Sequence, residues 1–117
     1  MKGDPIVLSQ LAQQVLEPDF AWEPLRPGVD IHRLYGNGAA GPSAALLHYA
    51  PGAAVPHHLH EGYEHIYILH GTQVDARGTH LCGTLVVNPP GSGHDVYSPD
   101  GCVALVVWER PVVFPGD

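Results

Sequence analysis

Apolar positions change their spacing once along the chain. Over residues 5–20, Leu8, Leu11, Ala12, Val15 and Leu16 recur at helical intervals, with Ser9 placed to cap and Pro18 to stop. This predicts a short helix, or failing that an edge strand, as an appendage over 1–21. From Trp22 onward the apolar residues fall into short runs rich in Val, Ile, Leu and Tyr, which predict strands at 29–35, 43–50, 55–60, 63–70, 84–88, 94–98 and 102–109. Turn signals separate them: Gly36-Asn37-Gly38, Gly41-Pro42, Pro51-Gly52, Gly71, Arg77-Gly78, Pro89-Pro90-Gly91 and Pro99-Asp100-Gly101. Many short strands with regular turns describe an all-β sandwich or small barrel over 22–117, with the tail from Pro111 as an edge or surface strap.

Composition agrees and adds exclusions. The 117 residues include 14 Gly and 12 Pro, well above average usage, which leaves little room for long helices. The net charge of −7, with five Lys and Arg in all, argues against binding nucleic acid or an anionic membrane. The first apolar run, Ile6-Val7-Leu8, is shorter than a secretory h-region, and the longest, Cys102 to Trp108, is of strand length. A cytoplasmic location is the expectation. Cys82 and Cys102 match no zinc-ribbon or redox spacing and are expected to be half-buried thiols.

The nine histidines do change the picture, since eight lie between positions 48 and 94. His58 and His60 are two residues apart, so on a strand both imidazoles face one way. Glu64 follows a turn, which can bring a carboxylate to the same height. His94 starts a later strand after the stiff Pro89-Pro90-Gly91 corner. Three imidazoles and a carboxylate suit one divalent transition metal (Fe, Mn, Ni, Co or Zn) and disfavour a thiolate site. Six-coordination would leave two positions open, whereas four-coordination would leave none.

The spacing resembles the two motifs of the cupin superfamily. Gly52, His58, His60, Glu64 and Gly71 fall on the first motif, and Gly83, Pro89, Gly91 and His94 on the second, whose final Asn is here Ser98. The resemblance implies a double-stranded β-helix, the jelly-roll barrel, with His58, His60, Glu64 and His94 as metal ligands. By strand parity Ile66, Ile68, Val96 and Ser98 are expected to line the cavity, and Tyr63 to stand at its lip with Glu61. His70 shares the parity of Glu64 but six residues of strand place it about 20 Å away. His57 and His65 have the opposite parity and should face outward, while His32, His48 and His80 read as background imidazoles.

Residues from Gly71 to Cys102, including Asp75, Gly78 and Pro90-Gly91-Ser92, with Trp22-Glu23-Pro24 and Pro27-Gly28-Val29 before them, are similar to the cupin half of ChrR-type zinc anti-sigma factors. In those proteins a helical zinc domain grips the sigma factor. The twenty or so residues before Trp22 contain no His or Cys, so sigma-factor binding is not expected. Two functions follow from the resemblance: a metal-dependent small-molecule enzyme of dioxygenase or isomerase type, or a non-catalytic zinc-binding sensor of oxidative stress. The dioxygenase analogy is weakened by Glu64, because the related diketone-cleaving enzymes typically use three histidines alone. A small-molecule ligand and a homodimer, formed by sheet extension through the N-terminal segment and barrel edges, are the expected partners.

Overall fold

A computed structural model describes residues 3–116; Met1, Lys2 and Asp117, at the ends of the predicted appendage and tail, lie outside the described residues. The elements are α1 (Leu11–Gln14), β1 (Glu23–Arg26), β2 (Val29–Tyr35), β3 (Ser43–Tyr49), β4 (Ala54–His60), β5 (Glu64–Asp75), β6 (Gly78–Leu81), β7 (Leu85–Asn88), β8 (Gly93–Tyr97), β9 (Cys102–Trp108) and β10 (Val112–Val113). All ladders are antiparallel. One sheet runs β1-β2-β3-β9-β5-β7 and the other β6-β5-β8-β4-β10, with β5 shared between them. The sheet therefore curls on itself into the jelly roll.

Alternation fills the space between the layers. Val29, Ile31, Leu47, Tyr49, Ile66 and Val106 point inward with Ile68, Val96 and Ala104. Strand β3 is different, because Ser43 to Leu47 are all buried. Its outer face is covered by the N-terminal segment, where Val15 packs on Leu46 and Val103 with Leu8, Leu11, Phe20 and Trp22 around them. These contacts account for the apolar spacing over 5–20 but not through a long helix. The segment forms a single turn, entered through Gln10 at φ 53 with no side-chain cap, so Ser9 does not act as one. So short a helix is not stable by propensity, and packing on β3 and β9 holds it.

Strand β5 also departs from expectation, running past position 70 to Asp75 and pairing with β6, where the sequence pattern marks no strand. A register shift between Ile68 and His70 against β9 reverses its parity. Glu64, Ile66 and Ile68 face inward before the bulge, and buried Gln73 does so after it. His70 is thereby turned outward, and its Nε2 pairs with the carbonyl of Ala12. The strand crosses between sheets at Gly71, which has φ +75; a Cβ there would strike the Gly101 carbonyl and Cys102. A second shift, between Val55 and His58, accommodates Pro56 and His57 opposite β8. Pro56 lacks a donor for the ladder, and a bulge tolerates that loss. The two thiols are less alike than predicted: Cys82 is exposed and Cys102 buried, and both are free.

Candidate metal centre

Strands β4, β5 and β8 bring the predicted ligands together. His58 and His60 lie on β4, Glu64 opens β5, and His94 pairs directly with His58 across the β4–β8 ladder. One donor atom from each of the four lies within 4.8 Å of the others, and all four residues are buried. The three ring centroids stand 4.7 to 5.2 Å apart.

Each imidazole is held by its Nδ1. His58 Nδ1 lies 3.0 Å from the Pro56 carbonyl, an acceptor, so Nδ1 carries the proton. His60 Nδ1 lies 2.9 Å from Ser92 Oγ. That hydroxyl donates its own proton to the Pro89 carbonyl at 2.6 Å and so accepts from His60. His94 Nδ1 donates to Asp75 Oδ2 at 3.1 Å. In the neutral rings, all three Nε2 atoms therefore carry lone pairs facing the same small volume.

Glu64 is held just as closely. Asn88 Nδ2 donates to its Oε1 at 3.0 Å and Trp108 Nε1 to its Oε2 at 2.8 Å. Asn88 and Trp108 are the two ladder partners of Glu64, one on each side. Burial would raise the Glu64 pKa, but the facing His60 and His94 imidazoles, when protonated, outweigh burial and hold the carboxyl well below the usual range. Burial pushes His58 down, whereas at His94 the Glu64 and Asp75 carboxylates overcome burial and raise it.

The arrangement calls for a cation. His60 Nε2 is 3.0 Å and His94 Nε2 3.5 Å from Glu64 Oε1. Both nitrogens are buried without a hydrogen-bond partner. Lone pairs of neutral rings facing a carboxylate oxygen repel, and protonating three adjacent rings would place like charges in contact. One divalent cation would satisfy all four donors, so the residues fit a transition metal.

A cavity of about 290 Å³ opens beside this cluster, with His58, Glu64 and His94 in its wall. Of the residues predicted to line it, Ile66 and Val96 do so. Ile68 does not: it is fully buried in the core beneath. Ser98 is also fully buried and donates to the Thr72 carbonyl at 2.6 Å, which ties it into the barrel wall. Tyr63 has the opposite parity to Glu64 and is exposed; its backbone N–H bonds to Glu109 Oε1 instead of facing the cavity. His57 and His65 are exposed on the outer side.

Asp75 is the principal addition. Besides His94, it accepts from His80 Nε2 and from the Arg77 N–H, both at 2.9 Å. Those bonds outweigh its burial and lower its pKa. His80 is thus tied to the site by one intervening carboxylate. Asp75 lies eleven residues beyond Glu64, and only the bulge and the crossing between sheets bring both to His94. Its place among the ChrR-like residues, which Ser92 shares, was the one available signal; Asn88 and Trp108 carried none.

The jelly roll and its inward cluster of three histidines and a glutamate define a cupin. More specifically, the chain belongs to the ChrR cupin-like domain family, whose profile matches residues 12–113. Comparison with curated proteins finds no significant match. Solved structures include a protein of unknown function with a cupin-like fold from Ralstonia eutropha, 24% identical with TM-score 0.64, covering 70% of this chain. The chain spans 55% of that protein's length. The Rhodobacter sphaeroides SigE complex with the anti-sigma ChrR matches at 23% identity and TM-score 0.69, over 92% of this chain and 70% of the other. An acetylacetone dioxygenase from Acinetobacter johnsonii matches over the whole chain and 80% of its own length, at 14% identity and TM-score 0.77. At these identities the likeness concerns the fold. Among the described residues no helix is long and apolar enough to cross a membrane.

Proposed function

We propose that this chain is a metal-dependent enzyme acting on a small organic molecule, with His58, His60, Glu64 and His94 as the ligands of one divalent transition metal. The observation that carries the proposal is the cavity of about 290 Å³ with three of the four donors in its wall. A closed structural site would need no such space. A transition metal bound there would supply polarisation of a carbonyl, acidification of water or activation of dioxygen, according to its identity. The chain's own residues present three Nε2 lone pairs and a carboxylate, fix the ring orientations through Pro56, Ser92 and Asp75, and keep the surrounding walls apolar. The resemblance to an acetylacetone dioxygenase supports an oxygenase-type reaction, while family membership favours the second reading, a zinc-holding sensor like ChrR.

Metal analysis of anaerobically purified protein, with the coordination number from X-ray absorption, separates the two. The enzyme reading expects one equivalent per chain and at least one exchangeable position. A four-coordinate zinc site with none would establish the sensor, and protein without stoichiometric metal would refute both. We also propose that the chain forms a homodimer, as expected from the sequence. Because the N-terminal segment packs on β3 and β9 of its own chain, we assign the contact not to that segment but to the outer face of β5 and β7. Tyr67, Leu85 and Val87 stand exposed together there, Tyr67 beside Leu85 in the ladder.

A further inference from the structure

The cavity carries a charge pattern opposite to that of the whole chain. Among the described residues, two arginines, Arg26 and Arg33, line it, whereas Glu64 is the one acid that does, although acids far outnumber cations in the sequence. Arg33 is exposed at the rim, and Arg26 is half-buried. No acidic side chain among the described residues pairs with Arg26, and its Nη1 is buried with no hydrogen-bond partner. Its guanidinium carbon lies 4.7 Å from the centre of the Phe114 ring, which in turn stands 5.5 Å from the His58 ring. This cation–π contact holds the guanidinium one aromatic ring away from the metal cluster. Gln73 also lines the cavity, 1% exposed, and its Oε1 has no partner. Unpaired buried donors and acceptors are rare unless something else completes them.

We propose that the cavity takes a small organic acid and that Arg26 binds its carboxylate. The inference deepens the metal-dependent reading above and rests on it for the position of the reacting end of the ligand. A guanidinium presents a planar fork that matches two carboxylate oxygens. The rest of the wall is mostly apolar, with Val29, Ile31, Leu47, Val96 and Phe114 among the lining residues. That surface offers the carbon skeleton of an organic acid a place, which a phosphate would leave empty. The volume, roughly that of ten water molecules, limits the ligand to a small molecule. Gln73 presents a second polar group for a further hydroxyl or carbonyl of the ligand.

The test uses 4-methyl-2-oxopentanoate, its uncharged methyl ester and inorganic phosphate as probes, titrated calorimetrically into Co(II)-loaded and metal-free protein. Arg26→Gln is expected to weaken carboxylate binding about 10- to 100-fold, the effect of losing a hydrogen bond to a charged group, with ester binding unchanged within about twofold. Arg26→Lys should fall between the two. Equal carboxylate affinity in the parent and a folded Arg26→Gln would overturn the proposal. So would an equal loss for the ester, tighter binding of phosphate, or no binding of the carboxylate by the parent. If Arg26→Gln does not fold, Arg26→Lys decides by the same comparison. Arg26-dependent carboxylate binding in protein that takes up no metal would sink the metal reading and uphold this one; metal uptake with Arg26-independent binding would do the reverse.

Discussion

Asp75→Asn tests whether the buried carboxylate behind His94 serves the metal. Asp75 Oδ2 accepts the His94 Nδ1 proton at 3.1 Å, which fixes the tautomer that turns Nε2 toward the cluster and raises the basicity of that nitrogen. The amide keeps the shape and removes the charge. Partners of this kind are worth about 10- to 100-fold in metal affinity, or about 1.4–2.7 kcal/mol. The assay is competition for Co(II) or Zn(II) against a chromophoric chelator at pH 8, with circular dichroism as the folding control. In a His94→Ala background the same substitution should cost less than about threefold, since Asp75 acts through His94.

The pH dependence has a definite sign. Ligands bind metal deprotonated, so affinity should fall as pH drops through the histidine range, by up to about tenfold per unit for each proton displaced. Glu64 and Asp75 together raise His94 against its burial. Removing the Asp75 charge lowers that pKa and lessens proton competition. The deficit of Asp75→Asn should therefore be smaller at pH 6 than at pH 8. Unchanged affinity at pH 8 in a folded variant, or a full effect in the His94→Ala background, would refute the reasoning.

Gly71→Ala should destabilise the protein by about 2–4 kcal/mol in urea unfolding, because a left-handed backbone and a clash with the Gly101 carbonyl act together; a loss below about 1 kcal/mol would contradict the crossover geometry. One thiol of two should react rapidly with a colorimetric disulfide reagent in native protein and both after denaturation, since Cys82 is exposed while Cys102 is buried and its pKa raised by burial. Fast reaction of both in the native state would show that the core opens readily. Light scattering should give twice the 12.5 kDa chain mass, and Leu85→Asp should return a monomer; a monomeric parent at high concentration would end the dimer proposal.

Much of the architecture is legible in local pattern. Alternating apolar residues and Gly-Pro punctuation mark the seven principal strands, because each depends on neighbours within a few positions. His58 and His60 share a face for the same reason, and the motif spacing places Glu64 and His94 with them. The pattern is least reliable where a bulge reverses parity. The shift after Ile68 turns His70 out and Gln73 in, and no local signal marks it. The apolar spacing over 5–20 marks a buried face correctly, but its helix shrinks to one turn because packing, rather than propensity, satisfies Leu8, Leu11 and Val15.

By itself the sequence determined an all-β barrel, its principal strands and four residues capable of sharing a metal. Tertiary structure alone decided what surrounds those four. Asn88 and Trp108 reach Glu64 because β7 and β9 flank it, and Asp75 reaches His94 because β5 changes sheets. Arg26 and Phe114 come from near opposite ends of the chain and meet at the same cavity. Strand periodicity repeats every two residues and is written locally, whereas hydrogen bonds across ladders depend on which strands become neighbours and in what register.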